Sequence, residues 1–167
     1  DDSVGKSIFL SSYEKETILF TKKYLNYGDT AVDIGANIGY FSLIFSGLVG
    51  KTGRVHSFEP SQREFYHLCK NIRINHAKNI FPNQLAIGNK NGFSQMNVLR
   101  DSKFGAYNSF NEITHPRVKK QEVQTEIVRV LRLDDYLDLF SEMVPQLIKI
   151  DVEGFEKQVL EGMQKLL

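Results

Sequence analysis

The sequence predicts an α/β domain built on a mostly parallel sheet with helices on both faces. Strand-like and helix-like stretches alternate from residue 11 to residue 88, and parallel neighbours require crossover connections of that kind. Residues 30–39, Thr-Ala-Val-Asp-Ile-Gly-Ala-Asn-Ile-Gly, carry a short apolar strand through a glycine-bearing turn directly into an apolar helix. Open α/β sheets hold nucleotide-like ligands on such a unit. Three carboxylates, Asp33, Glu59 and Asp151, fall at the carboxyl ends of three predicted strands, the edge where these sheets bind ligands.

Taken in order, residues 11–27 predict a helix, with Tyr13, Thr17, Phe20 and Tyr24 at helical spacing and Ser11 with Glu14 as a capping box. Gly28-Asp29 ends it and the first strand follows. Residues 38–48 predict a helix apolar on most sides (Phe41, Leu43, Ile44, Phe45, Leu48), suited to lie on a sheet. Residues 54–58 predict the second strand, with His56 as a core residue. Ser61 and Glu64 predict a second capping box, ahead of the stripe Phe65, Leu68, Cys69, Ile72. A third strand is expected within 80–87, ending near Leu85-Ala86-Ile87-Gly88. Residues 89–126 are polar and break the pattern, with extra strands expected at 93–99 and 125–132 around a long loop of the size that is usually functional or mobile. Asp134 is expected to cap a helix over 135–140. The fourth core strand is expected over 146–151, followed by Gly154 and a helix carrying Phe155, Val159, Leu160 and Met163.

The 167 residues suit one domain with a buried core: a helical segment over 1–27 and a ligand-binding domain over 28–167. A net charge of +1 offers no bulk electrostatic reason for binding nucleic acid or an acidic membrane. The single cysteine, Cys69, excludes an internal disulfide, and no Cys/His spacing suggests a metal site. Both features suit a reducing, cytoplasmic setting. No apolar run approaches the roughly 20 residues of a membrane span. The chain opens on Asp1-Asp2 and ends one helix after the fourth strand, as expected of a sequence missing upstream residues and the strands that would complete the sheet.

The turn narrows the ligand. A nicotinamide fingerprint reads Gly-x-Gly-x-x-Gly, whereas here Asn37 replaces the middle glycine of Gly35-Ala36-Asn37-Ile38-Gly39. That removes the close approach a pyrophosphate needs. A sulfonium nucleoside has no pyrophosphate, and Asp33 is placed to balance its positive charge, which favours S-adenosylmethionine over NAD. Glu59 is placed to accept ribose hydroxyls; its alternative role is to cap the helix after Pro60. Asp151 and Glu153 are the candidate general bases, or else a carboxylate pair neutralised by Lys149. Lys149, inside a central strand, is expected to pair with an acid. Tyr107-Asn108-Ser109 in the long loop is placed to touch a substrate, whereas His115, within reach of an open site, reads first as a surface loop histidine.

Several motifs resemble those of FkbM-type methyltransferases. They are Asp33-Ile34-Gly35-Ala36-Asn37-Ile38-Gly39-Tyr40-Phe41-Ser42, Phe58-Glu59-Pro60, Asn71-x-x-x-Asn75, Ala86-Ile87-Gly88, Leu133-Asp134-Asp135 and Ile148-Lys149-Ile150-Asp151-Val152-Glu153-Gly154-Phe155-Glu156, followed by Val159-Leu160-x-Gly162. They occur in order between residues 28 and 167. The resemblance implies a Rossmann-like class I methyltransferase sheet and an S-adenosylmethionine-dependent enzyme acting on hydroxyl oxygens of sugars or natural products. It implies that Gly35, Ala36, Asn37 and Gly39 line the methionine end, and that Glu59, with Pro60 and Ser61, holds the ribose. Ala86 then approaches the adenine, and Asp151 lies near the sulfonium. The rival readings are an NAD-dependent oxidoreductase and a non-catalytic cofactor-binding module.

Overall fold

A computed structural model describes residues 14–113, 116–118, 121–140 and 144–167. Ser11, Tyr13 and His115 lie outside the described residues. Helix α1 (Lys15–Tyr24) leads to strand β1 (Thr30–Ile34), helix α2 (Tyr40–Val49), strand β2 (Arg54–Phe58), helix α3 (Gln62–Ile74) and strand β3 (Ile80–Asn83). Strands β4 (Ala86–Ile87), β5 (Gly92–Leu99) and β6 (Val123–Leu131) follow, then helix α4 (Leu133–Leu137), strand β7 (Leu147–Ile150) and helix α5 (Glu156–Glu161). Two short 3₁₀ turns, Ser102–Tyr107 and Pro116–Val118, lie between β5 and β6.

The main sheet has the order β3-β2-β1-β7, with every pairing parallel. The chain steps outward from β1 through β2 to β3, then returns to add β7 on the opposite side of β1. That reversal opens a crevice beyond the carboxyl ends of β1 and β7.

Strand alternation divides the core between the two faces. Ala31 and Val55 pack with Leu25, Phe41, Phe45, Val49 and Ile80 under α2. Val32, Ile34 and Phe58 pack with Leu133, Leu137, Val159 and Met163 on the side of α4 and α5. On this second side His56 is buried, its Nδ1 2.8 Å from the Tyr136 hydroxyl. Burial, then Arg54, pushes its pKa down to about 4. Among the described residues no helix is long and apolar enough to cross a membrane.

Four local expectations are corrected. The third strand is split: β3 ends at Asn83, while Ala86 and Ile87 pair with Val130 and Leu131 of a second sheet, β4-β6-β5. β2 stops at Phe58, opposite Asn83, so the chain beyond finds its backbone partners on β6. Asp134 lies within α4 and Arg132 is the N-cap; the buried Asp134 carboxylate pairs with Arg132 at 2.9 Å and accepts the Lys165 amide. The fourth core strand is shorter, Leu147–Ile150. Ser61 is the N-cap of α3, but its hydroxyl donates to the Glu64 carboxylate and caps no backbone amide.

Candidate active site

Three strand ends converge on the crevice. The turn after β1 brings Gly35 to Ile38, the end of β2 brings Glu59 and Pro60, and the end of β7 brings Asp151 to Glu153. With Met96 of β5 and residues of the β5–β6 loop they line a cavity of about 280 Å³.

Gly35 makes the convergence possible. Its φ is +79°, and a Cβ there would lie 1.9 Å from the Asp151 carbonyl oxygen. The amides of Gly35 and Ala36 both donate to the Phe58 carbonyl, at 3.0 and 2.9 Å, which locks the turn to the end of β2. Gly35→Ala is therefore expected to lower stability by at least about 1–2 kcal/mol from the backbone conformation alone, with the collision against β7 added. Urea unfolding measures it; unchanged stability would refute this account of the turn.

Glu59 is 7 % exposed. Its Oε2 accepts the Asn37 amide at 2.8 Å and its Oε1 the Ser61 amide at 3.0 Å. Asn37 sits at φ 50°, turning that amide onto the carboxylate. Burial pushes the Glu59 pKa up to about 8 against the pull of these two amides. Each oxygen keeps a lone pair for a ligand hydroxyl.

Asp33 stands behind the cavity wall, fully buried, with its Oδ2 accepting the Ser42 hydroxyl at 2.6 Å. Burial raises its pKa, opposed chiefly by Lys149. Lys149 bridges the two layers, with Nζ 2.9 Å from Asp151 Oδ2 and 3.9 Å from Asp33 Oδ1. The expected pairing of this lysine with an acid is thus present, and it involves two.

Gly35, Ala36, Asn37, Glu59, Pro60, Asp151 and Glu153 share the cavity. Ala86 lines a smaller adjoining recess with Leu85, Ile87 and Phe155, which shares Gly35, Pro60, Phe110 and Val152 with the cavity. Asp33, Gly39 and Ser61 line neither. Gly39 packs on Leu68 of α3, where a Cβ would meet the Leu68 side chain at 2.6 Å. Ser61 is completely buried and reaches the site through its amide bond to Glu59. Asn71 ties α3 to the turn by donating to the Ile38 carbonyl at 2.8 Å.

The β5–β6 loop forms the far wall. Asn108 and Ser109, expected to touch a substrate, line the cavity, and so do Gly105, Ala106 and Phe110. Phe110 stacks on Phe155 with ring centroids 4.3 Å apart. Ser109 Oγ donates to the Glu153 carbonyl at 2.8 Å, and Asn111 Nδ2 donates to the Gly154 carbonyl at 2.8 Å. From the other side Arg63 Nη1 donates to the Leu99 and Arg100 carbonyls, and Asn108 Nδ2 to the buried Glu64. Phe110 and Met96 were missed in the sequence. An aromatic in a polar loop and the inward alternation of β5 were the available signals.

These residues fit an adenosyl amino acid. The acid at the end of β2 retains acceptor capacity, the recess at Ala86 is apolar, and Asp151 supplies a carboxylate across the cavity. Among the described residues no group of three or more His, Cys, Asp or Glu could hold a metal ion.

Comparison with known proteins bears on family and fold. The profile described as "Methyltransferase FkbM domain" matches residues 33–167. The chain is 27% identical over 144 residues to "Methyltransferase 1" of Beauveria bassiana, covering 79% of this chain and 57% of that protein. It is 27% identical over 162 residues to "31-O-demethyl-FK506 methyltransferase FkbM" of Streptomyces tacrolimicus, covering 84% of this chain and 61% of that protein. The chain thus spans about 57–61% of the length of these curated relatives. The crystal structure of an FkbM methyltransferase from Methylobacillus flagellatus superposes with a TM-score of 0.55 at 18% identity, over 89% of this chain and 36% of that one. That likeness establishes the fold: a Rossmann-like α/β sheet.

Proposed function

The chain belongs to the FkbM methyltransferase domain family, and on that footing we propose that it transfers a methyl group from S-adenosylmethionine to a hydroxyl oxygen of a sugar or natural product. The observation that carries this reading is the buried Glu59, facing the cavity beside the Gly35 turn and across from Asp151. In this reading Glu59 and Pro60 seat the ribose, the turn from Gly35 to Asn37 lines the amino-acid end, and Ala86 borders the adenine. Ser61, Asp33 and Gly39 act from behind the wall, holding Glu59, Lys149 and α3 in place.

When bound, S-adenosylmethionine would supply an electrophilic methyl group, open to in-line attack by an acceptor oxygen with the thioether as leaving group, its sulfur keeping the electron pair of the broken bond. A sugar hydroxyl is a weak nucleophile, and its proton must leave as the new C–O bond forms. Asp151 and Glu153 border the same cavity, and we assign the base to this pair. The β5–β6 wall, through Met96 and Phe110, shields the reacting centre from water.

Asn37 supports this reading over a nicotinamide enzyme. It occupies the place of the close-approach glycine, and its Oδ1 accepts the Ile38 amide at 2.7 Å, filling the turn that a pyrophosphate would need. Incubation with radiolabelled S-adenosylmethionine and a panel of hydroxyl acceptors tests the proposal. Label transfer that Glu153→Gln or Asp151→Asn reduces is the expected result. Tight cofactor binding with no transfer to any acceptor would favour a binding module instead.

A further inference from the structure

We propose that Lys149 is a positioning residue shared between two carboxylates: it holds Asp151 while the cavity is open and moves onto Asp33 when a cationic ligand engages Asp151. This inference rests on the reading of the cavity as the seat of S-adenosylmethionine.

The geometry sets up the exchange. Lys149 on β7 is the register partner of Asp33 on β1, and its side chain is only 12% exposed. Nζ bonds Asp151 Oδ2 at 2.9 Å and stands 3.9 Å from Asp33 Oδ1, with the Phe41 ring centroid 4.8 Å away. Asp33 Oδ1 is buried without a hydrogen-bond partner, a state that carries a desolvation penalty. Its other oxygen is satisfied: Ser57 Oγ donates to Ser42 Oγ, and Ser42 Oγ donates to Asp33 Oδ2. A shift of about 1 Å at the end of a flexible lysine stem would bring Nζ within hydrogen-bond range of Oδ1.

Charge supplies the driving force. Asp33, Asp151 and Lys149 together lack one positive charge when both acids are ionised. The remaining surroundings do not provide it: α2 presents Phe41 and Ser42, β2 presents Ser57, and Glu59 beyond β2 is itself an acid, its pKa raised in part by Asp33 as a like charge. A cation at Asp151 completes the balance and releases Lys149 to the buried acid. The cluster thereby favours a sulfonium or ammonium ligand over a neutral nucleoside.

Carboxyl ¹³C NMR titration of Asp33, with and without saturating S-adenosylmethionine, tests the exchange. In the wild-type protein the ligand is expected to lower the Asp33 midpoint by about 1–2 pH units, the size of effect an approaching cation exerts. Lys149→Met abolishes that shift and Lys149→Arg restores it. Should Lys149→Met fail to fold, Lys149→Gln, which keeps a polar side chain without the charge, takes its place. A midpoint unmoved by bound ligand, or one that moves equally in the charge-removing variant, overturns the exchange alone. Failure of the wild-type protein to bind S-adenosylmethionine at all overturns the functional reading with it.

Discussion

Glu59→Ala is expected to weaken S-adenosylhomocysteine binding by about 100-fold or more, the loss of two hydrogen bonds from ligand hydroxyls to a charged acceptor. Calorimetry measures it directly, and the stabilisation of the folded protein by the ligand should nearly vanish in thermal melts. Alanine also strips the Asn37 and Ser61 amides of their shared acceptor, so Glu59→Gln is the cleaner probe. It keeps one acceptor oxygen in place and should bind at an intermediate level. Wild-type affinity in the alanine variant would remove the ribose role.

The same residue sets a pH dependence. Its pKa is raised to about 8 from an ordinary 4.5, burial being the largest cause. The ionised form is the better acceptor for hydroxyls, so ligand affinity should rise with pH up to about 8 and then level off. Stability runs the opposite way. Between about 4.5 and about 8 the folded protein holds a proton that the unfolded chain has released, so Glu59 lowers stability progressively as pH rises through that window. Glu59→Gln should flatten this fall in pH-dependent urea denaturation.

Asp151→Asn is expected to lower kcat about 10²- to 10⁴-fold, the range for loss of a general base. The Asp151 side chain is 53% exposed, so the fold should survive and circular dichroism should match the wild type. Glu153→Gln in parallel decides which acid is the base. If both variants retain full kcat, proton removal falls to solvent and the pair is an ion-network element with Lys149.

The parts of the site legible in the sequence are those written in local chemistry. Gly35, Asn37 and Gly39 each adopt positive φ, as a tight turn between strand and helix demands, and the turn is visible in ten consecutive residues. Glu59 and Asp151 follow from counting strand ends, because strand and helix periods are local properties of the chain. Lys149 announces its pairing by being a charge in an apolar strand.

Other features depend on residues far apart in sequence. The split of the third strand follows from where β2 ends and where β6 lies, neither of which residues 80–87 encode. Asp134 looks like a helix cap until the Lys165 amide and Arg132 reach its carboxylate. The cavity's far wall is a polar loop held by Arg63, Glu64, Phe155 and the carbonyls of Glu153 and Gly154, all distant in the chain. The retreat of Asp33 behind the wall and the raised pKa of Glu59 are consequences of burial, which no single segment controls. Periodicity and turn chemistry thus specify the sheet edge that lines the cavity, since they act between near neighbours. Enclosure and charge state arise only when distant segments exclude water together, and they wait on the folded chain.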